Sequence, residues 1–170
     1  MFTQGVEMPP DILALASEMA PEGFDLRHLP AGTPEGEIAA AMVEGEYLLG
    51  FVRHLPDEAF AAAKRLKLVQ VLSAGYDQVN IPGARAARVP VCSNGGANSV
   101  AVAEHAVMLV LAVYRKLAAL HRNVVDGHWH SGIPRTVDMY ELAGKTVGLV
   151  GLGNIGQQVA QRVRAFDATV

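Results

Sequence analysis

Runs of apolar residues switch between two spacings along the first part of the chain. Ile12, Leu13, Leu15, Ala16 and Met19 recur at helical spacing behind Pro9 and Pro10, which predicts a helix over 9–20. Alternation over 24–29 predicts a strand, and the pattern of 35–45 predicts a helix closed by Gly45. A continuous apolar strand follows over 46–52, then a helix over 56–66 opened by Pro56 and Asp57. Next come a strand over 67–75, a short helix over 81–89 and a strand over 89–94. Apolar strands alternating with helices indicate an α/β fold whose parallel sheet is covered on both sides. The first strand of such a unit should precede Pro9, where only a short, weakly apolar segment stands. Either that strand is a poor one or the chain starts late.

From 99 to 122 the pattern predicts one long helix, with Ser99 as N-cap and its basic residues late, where they suit the helix dipole. Its first turns are apolar on nearly every face, so it should be buried on all sides, within the subunit or against a second one. Residues 123–144, rich in Gly, Pro and Asp, read as a connecting loop. An apolar strand over 146–150, a glycine turn, a helix and the start of a further strand complete the pattern.

The totals remove several classes of function. A net charge of −3 without a block of like charge gives no reason to expect nucleic acid or an anionic membrane as partner. The most apolar run, 100–114, contains Glu104 and His105 and is shorter than the roughly 20 residues a bilayer requires. The lone cysteine, Cys92, excludes an internal disulfide, reads as a small buried hydrophobe and favours a reducing compartment. With no secretory signal visible, a cytoplasmic protein is expected.

Three stretches carry candidate chemistry. In 151–156, Gly151 permits a tight turn, Gly153 lets the backbone approach a pyrophosphate and Gly156 allows close helix–strand packing. The following helix offers free N–H groups and a partial positive charge, so the stretch points to dinucleotide binding. The ribose-binding acid falls about 20 residues on, and Asp167 is a loop residue before that point. NAD and NADP therefore both stay open. The second stretch, 72–80, is a glycine turn at the carboxyl end of a strand. It is either a turn without a ligand or a set of amides that hold a carboxylate. The third, 93–105, is a glycine-rich connector before the long helix, where Asn98 and Ser99 could donate to a ligand. His128 and His130 have HxH spacing but no third ligand, so no metal site is expected. His28, His54 and His121 fall on surface faces, and His105 reads as a hydrogen-bonded structural residue.

Taken in order, "VQVLSAGYDQVN", "VPVCSNGGANSVAVAEHAVMLVLAVYRKL" and "ELAGKTVGLVGLGNIGQQVAQRVRAFDATV" resemble the D-isomer-specific 2-hydroxyacid dehydrogenases. The resemblance extends from about Asp11 onward. It implies a flavodoxin-like substrate domain over 1–98, followed by the beginning of a Rossmann NAD(P)-binding domain over 99–170, with the active site between them. It also implies hydride transfer between a nicotinamide and a small D-2-hydroxy acid or 2-oxo acid, and a homodimer formed through the 99–121 helix. Position by position, Ala74, Gly75 and Tyr76 match the substrate-carboxylate loop. Asn98 matches a substrate-binding asparagine of formate dehydrogenases, and Ser99 a cofactor contact. Gly151, Gly153, Asn154, Ile155 and Gly156 match the pyrophosphate turn. Most relatives have arginine at position 154, so one phosphate-side contact is expected to be absent here, and glycine at 167, an exchange expected to be harmless. The family's catalytic arginine, glutamate and histidine have no counterpart here and would follow Val170, so a fragment without dehydrogenase activity, with apolar surface exposed and prone to aggregate, is expected. Two alternatives stay open: a non-catalytic, dinucleotide-responsive binding module of the corepressor kind, and a formate-dehydrogenase-like enzyme.

Overall fold

The computed structural model describes residues 7–129 and 138–170. The chain divides into two compact units, Met1–Gly95 and Gly96–Val170.

The first unit is built on a three-stranded parallel sheet in the order β1-β2-β3, from β1 (Tyr47–Gly50), β2 (Leu68–Val71) and β3 (Val91–Cys92). Tyr47 pairs with Leu68 and Gly50 with Val71, while Val69 and Gln70 pair with Val91 and Cys92. Helices α1 (Pro10–Met19), α2 (Glu35–Glu44), α3 (Asp57–Ala62) and α4 (Ile81–Ala86) flank these strands in sequence. Phe60, Ile38, Leu55, Val69 and Val71 are fully buried at the centre. Burial of each such side chain is worth about 1.5–3 kcal/mol, which is why strand and helix patterns converge on this one core. Asn80 ties the entrance of α3 to α4. Its Oδ1 accepts from the Gly83 N–H (2.9 Å), and its Nδ2 donates to the Leu55 carbonyl (3.0 Å) and Asp57 Oδ1 (2.7 Å).

Two expectations fail in this unit. The strand expected over 24–29 reduces to a single bridge residue, Leu29, which also joins the core, while Phe24 lies against the Tyr47 ring and Arg27 pairs with Glu44 (3.2 Å). Cys92 is exposed and not buried, because it lies on the outer face at the end of a two-residue strand.

In the second unit, α5 (Ser99–Tyr114) and α7 (Asn154–Arg164) pack around a small core of Val107, Leu142, Val163 and Ala168, and α6 (Leu117–Val125) contributes no buried residue. The predicted single helix over 99–122 is broken. Lys116 takes the left-handed conformation (φ 52°), and the Tyr114 carbonyl accepts from the Tyr140 N–H (3.1 Å) instead of from the next helical turn. The two tyrosine rings meet edge-on at 5.7 Å. The N-cap of α5 is Asn98 and not Ser99, which is the first helical residue. Nor is α5 buried all round: only Ser99, Ala103 and Val107 are, while Val102, Met108, Leu109 and Val113 face out. The strand expected over 146–150 reduces to one parallel bridge between Thr146 and Thr169. A ladder needs a partner at each rung, and Val150 is fully exposed.

Candidate dinucleotide turn and carboxylate loop

The glycine turn is a consequence of three different backbone requirements. Gly151 has φ +98°, a conformation that side chains rarely adopt. A Cβ on Gly156 would run into the Gly151 carbonyl oxygen, so the first turn of α7 packs directly on the chain entering it. Gly153, the N-cap at φ −77°, has nothing within 4 Å of its would-be Cβ and borders open space. Gln157 braces the turn by donating from Nε2 to the Leu152 carbonyl (3.1 Å). The first intrahelical bond runs from the Gln157 N–H to the Gly153 carbonyl (3.0 Å). Among the described residues no acceptor meets the N–H groups of Asn154, Ile155 or Gly156. Three unpaired amides at the positive end of an 11-residue helix, beside a glycine that leaves room for close approach, fit a pyrophosphate. Leu152 and Ile155 are exposed beside the turn and offer apolar surface to the rest of such a ligand.

The start of α5 lies next to the start of α7. A Cβ on Gly96 (φ +91°) would stand 2.8 Å from Asn154 Nδ2 and 3.8 Å from Ser99 Oγ. Further along, Arg162 pairs with Glu104 (3.0 Å) while also donating to Gln158 Oε1 (2.7 Å). Contacts in the same order along both helices mean that α5 and α7 run side by side in one direction, with both N-termini at one end. Ser99 is buried, and its hydroxyl donates to the Gly96 carbonyl (2.7 Å). Asn98 is exposed and its side chain caps nothing. The part played by Gly96 was hidden in sequence, where "NGGAN" signals a connector and not a contact with a residue far along the chain.

In the first unit, Ala74, Gly75 and Tyr76 follow β2 and are exposed. Their N–H groups meet no acceptor among the described residues, while Ser73 Oγ donates to the Gly75 carbonyl (2.7 Å) and turns that oxygen aside. The Asn94 N–H donates to the Ser73 carbonyl (2.9 Å) and fixes the base of the loop. Unpaired amides with nearby carbonyls engaged are the donor pattern that could hold an anion such as a carboxylate.

The histidines take no part in either feature. His105 is exposed, and among the described residues no hydrogen bond reaches it, contrary to the structural role expected. His28 is half-buried and not on the surface, with Nε2 unpartnered. His54 and His121 are exposed, and His130 lies outside the described residues. No group of three or more metal-ligating side chains exists among the described residues, and no described helix is long and apolar enough to cross a membrane.

Residues 107–170 match the sequence profile of the D-isomer specific 2-hydroxyacid dehydrogenase, NAD binding domain. The chain is 36% identical over 118 residues to formate dehydrogenase 2, mitochondrial, of Oryza sativa subsp. japonica, covering 69% of this chain and 31% of that one. It is 39% identical over 141 residues to D-3-phosphoglycerate dehydrogenase of Mycobacterium tuberculosis, covering 82% and 26%. The chain thus spans about a third or less of these curated relatives. Among solved structures, the NADPH-dependent glyoxylate/hydroxypyruvate reductase of Sinorhizobium meliloti superposes with a TM-score of 0.76 at 26% identity, covering 98% of this chain and 51% of that one. With the profile match falling on the glycine turn and its flanking helices, residues 107–170 of this chain belong to the NAD binding domain of the D-isomer specific 2-hydroxyacid dehydrogenase family.

Proposed function

We propose that this chain supplies the phosphate turn and the substrate-carboxylate loop of an NAD- or NADP-dependent oxidoreductase acting on a small D-2-hydroxy acid or its 2-oxo acid. One observation carries the reading: three unpaired amides at the mouth of α7, behind a glycine turn in which Gly153 borders open space. The amides of Asn154, Ile155 and Gly156 would hold the pyrophosphate, and Gly151 and Gly156 shape the turn. The bound nicotinamide would supply the hydride donor or acceptor. Ser99, whose hydroxyl holds the Gly96 turn, would contact the cofactor from the mouth of α5. Ala74, Gly75 and Tyr76 would orient the substrate through its carboxylate, and Asn98 would donate to the substrate. Orientation by fixed donors is the contribution these residues make to hydride transfer.

The exposed apolar face of α5 supports a homodimer, since apolar side chains on this scale are usually covered by a partner. The single cysteine supports a cytoplasmic location. Calorimetric titration of the chain with NADH, NADPH, ADP and adenosine tests the reading. Binding of the phosphate-bearing ligands, with adenosine much weaker, is expected. Failure of every phosphate-bearing ligand to bind would overturn it.

A further inference from the structure

We propose that Asn154 is a positioning residue whose carboxamide, lying over Gly96, holds the mouths of α5 and α7 together so that they present one amide cluster to the phosphates. The inference rests on the dinucleotide reading above. It starts from the space that a Cβ on Gly96 would need, which the Asn154 amide fills: Nδ2 would be 2.8 Å away and Cγ 3.6 Å away. Gly96 is constrained by its φ of +91°, and a Cβ there would also have to displace the Asn154 amide from its place above the glycine. Ser99 fastens the same turn from the other side, with both its hydroxyl (2.7 Å) and its N–H (3.1 Å) donating to the Gly96 carbonyl.

The reason to fix these mouths is electrostatic. Each helix carries the equivalent of about half a positive charge at its N-terminus. Two parallel helices that begin side by side repel each other there, and the Glu104–Arg162 pair (3.0 Å) holds them together only further along. An anion at the shared mouth relieves that repulsion, provided the two ends do not splay apart. Asn154 is neutral and short, so it closes the gap without adding a third positive charge at the mouth. Its amide meets no acceptor among the described residues, so packing on Gly96 and not a hydrogen bond is its contribution.

A double-mutant cycle tests this, reading ADP, NADH and adenosine affinity by calorimetry together with thermal melting. Asn154→Ala should lower ADP and NADH affinity about 5-fold, the scale of one modest contact, with the melting temperature and adenosine affinity unchanged. Gly96→Ala should lower both melting temperature and ADP affinity. Placed on the N154A background, Gly96→Ala should cost less ADP affinity than on the wild type, because only the backbone strain remains. A side chain that merely stabilises the fold would move melting and not the ADP-to-adenosine ratio. A side chain that touches the phosphate directly would give losses that multiply independently. Either of those results overturns the proposal while leaving the dinucleotide reading intact. If the wild type binds neither ADP nor NADH, both fall. Asn154→Ala is an exposed change at a helix start, so unchanged ADP affinity in that variant alone also overturns it, whether or not G96A folds.

Discussion

Gly156 and Gly153 stand three residues apart in one turn, yet alanine should act on them in opposite ways. At Gly156 the added Cβ would overlap the Gly151 carbonyl oxygen and lie 3.2 Å from the Gly151 carbonyl carbon. Both are backbone atoms and cannot rotate aside. To restore ordinary separations, α7 must move away from the turn by ~1 Å. Overpacking of this kind costs about 1–3 kcal/mol, and a misplacement of ~1 Å in a binding constellation can cost as much as ~100-fold in function. Gly156→Ala is therefore expected to lower stability and dinucleotide affinity together. At Gly153 nothing lies within 4 Å and φ is −77°, which alanine adopts freely. Two stability effects oppose each other there. Reduced freedom of the unfolded chain gains about 0.4–1 kcal/mol, and a poorer N-cap loses a comparable amount, roughly 0.5–1 kcal/mol. Gly153→Ala should thus melt within about 1 kcal/mol of the wild type, while its methyl group stands where the pyrophosphate approaches and binding is lost. Urea unfolding and NADH titration on the two variants check this. If G156A unfolds like the wild type, or G153A is destabilised as much as G156A, the packing argument is refuted.

Asp167 holds a φ of +57°, so Asp167→Gly should raise unfolding stability by about 0.5–1 kcal/mol; an unchanged urea midpoint would show that no strain is stored there. Val113→Lys with Met108→Lys on the exposed face of α5 should abolish self-association and leave the circular dichroism spectrum unchanged; sedimentation velocity reads the outcome, and a persisting dimer would place the interface elsewhere. Lys67 (2.6 Å) and then Arg65 (3.4 Å) hold the Glu46 carboxyl below its ordinary range, and Glu46 in turn raises the Lys67 ammonium. What this exposed cluster adds is therefore lost in acid as pH falls through the lowered Glu46 value, and lost in alkali as pH rises through the raised Lys67 value. Lys67→Met should move the NMR titration midpoint of Glu46 upward, and an unmoved midpoint would deny the coupling.

The parts of the fold that sequence made legible are those in which one local requirement decides the backbone. Gly45 does end α2, Pro56 does precede α3, and Gly151 does take the positive φ that its turn demands. The helical run over 154–164 is amphipathic and forms as α7, with Ala160 and Val163 turned inward. The failures share a different cause, because each was decided by a residue distant in sequence. Arg115, Lys116 and Leu117 are all good helix formers, so nothing local announces the break, which the Tyr140 N–H imposes by engaging the Tyr114 carbonyl. Of the strand pattern over 24–29 only a single bridge residue, Leu29, is realised. At the candidate sites, the identity of the glycine turn was readable, but the adjacency of Gly96 and Asn154 was not, since no periodicity connects them.

The exposure of Cys92 has a practical side. It is the one thiol in the chain, and it sits two residues before Asn94, whose N–H anchors the base of the 74–76 loop. A maleimide dye would therefore attach at a single position without any engineered cysteine and without disturbing a core. The sequence thus carries its own spectroscopic handle beside the loop proposed to take the substrate carboxylate, where occupancy by candidate acids could be compared by fluorescence in the absence of turnover.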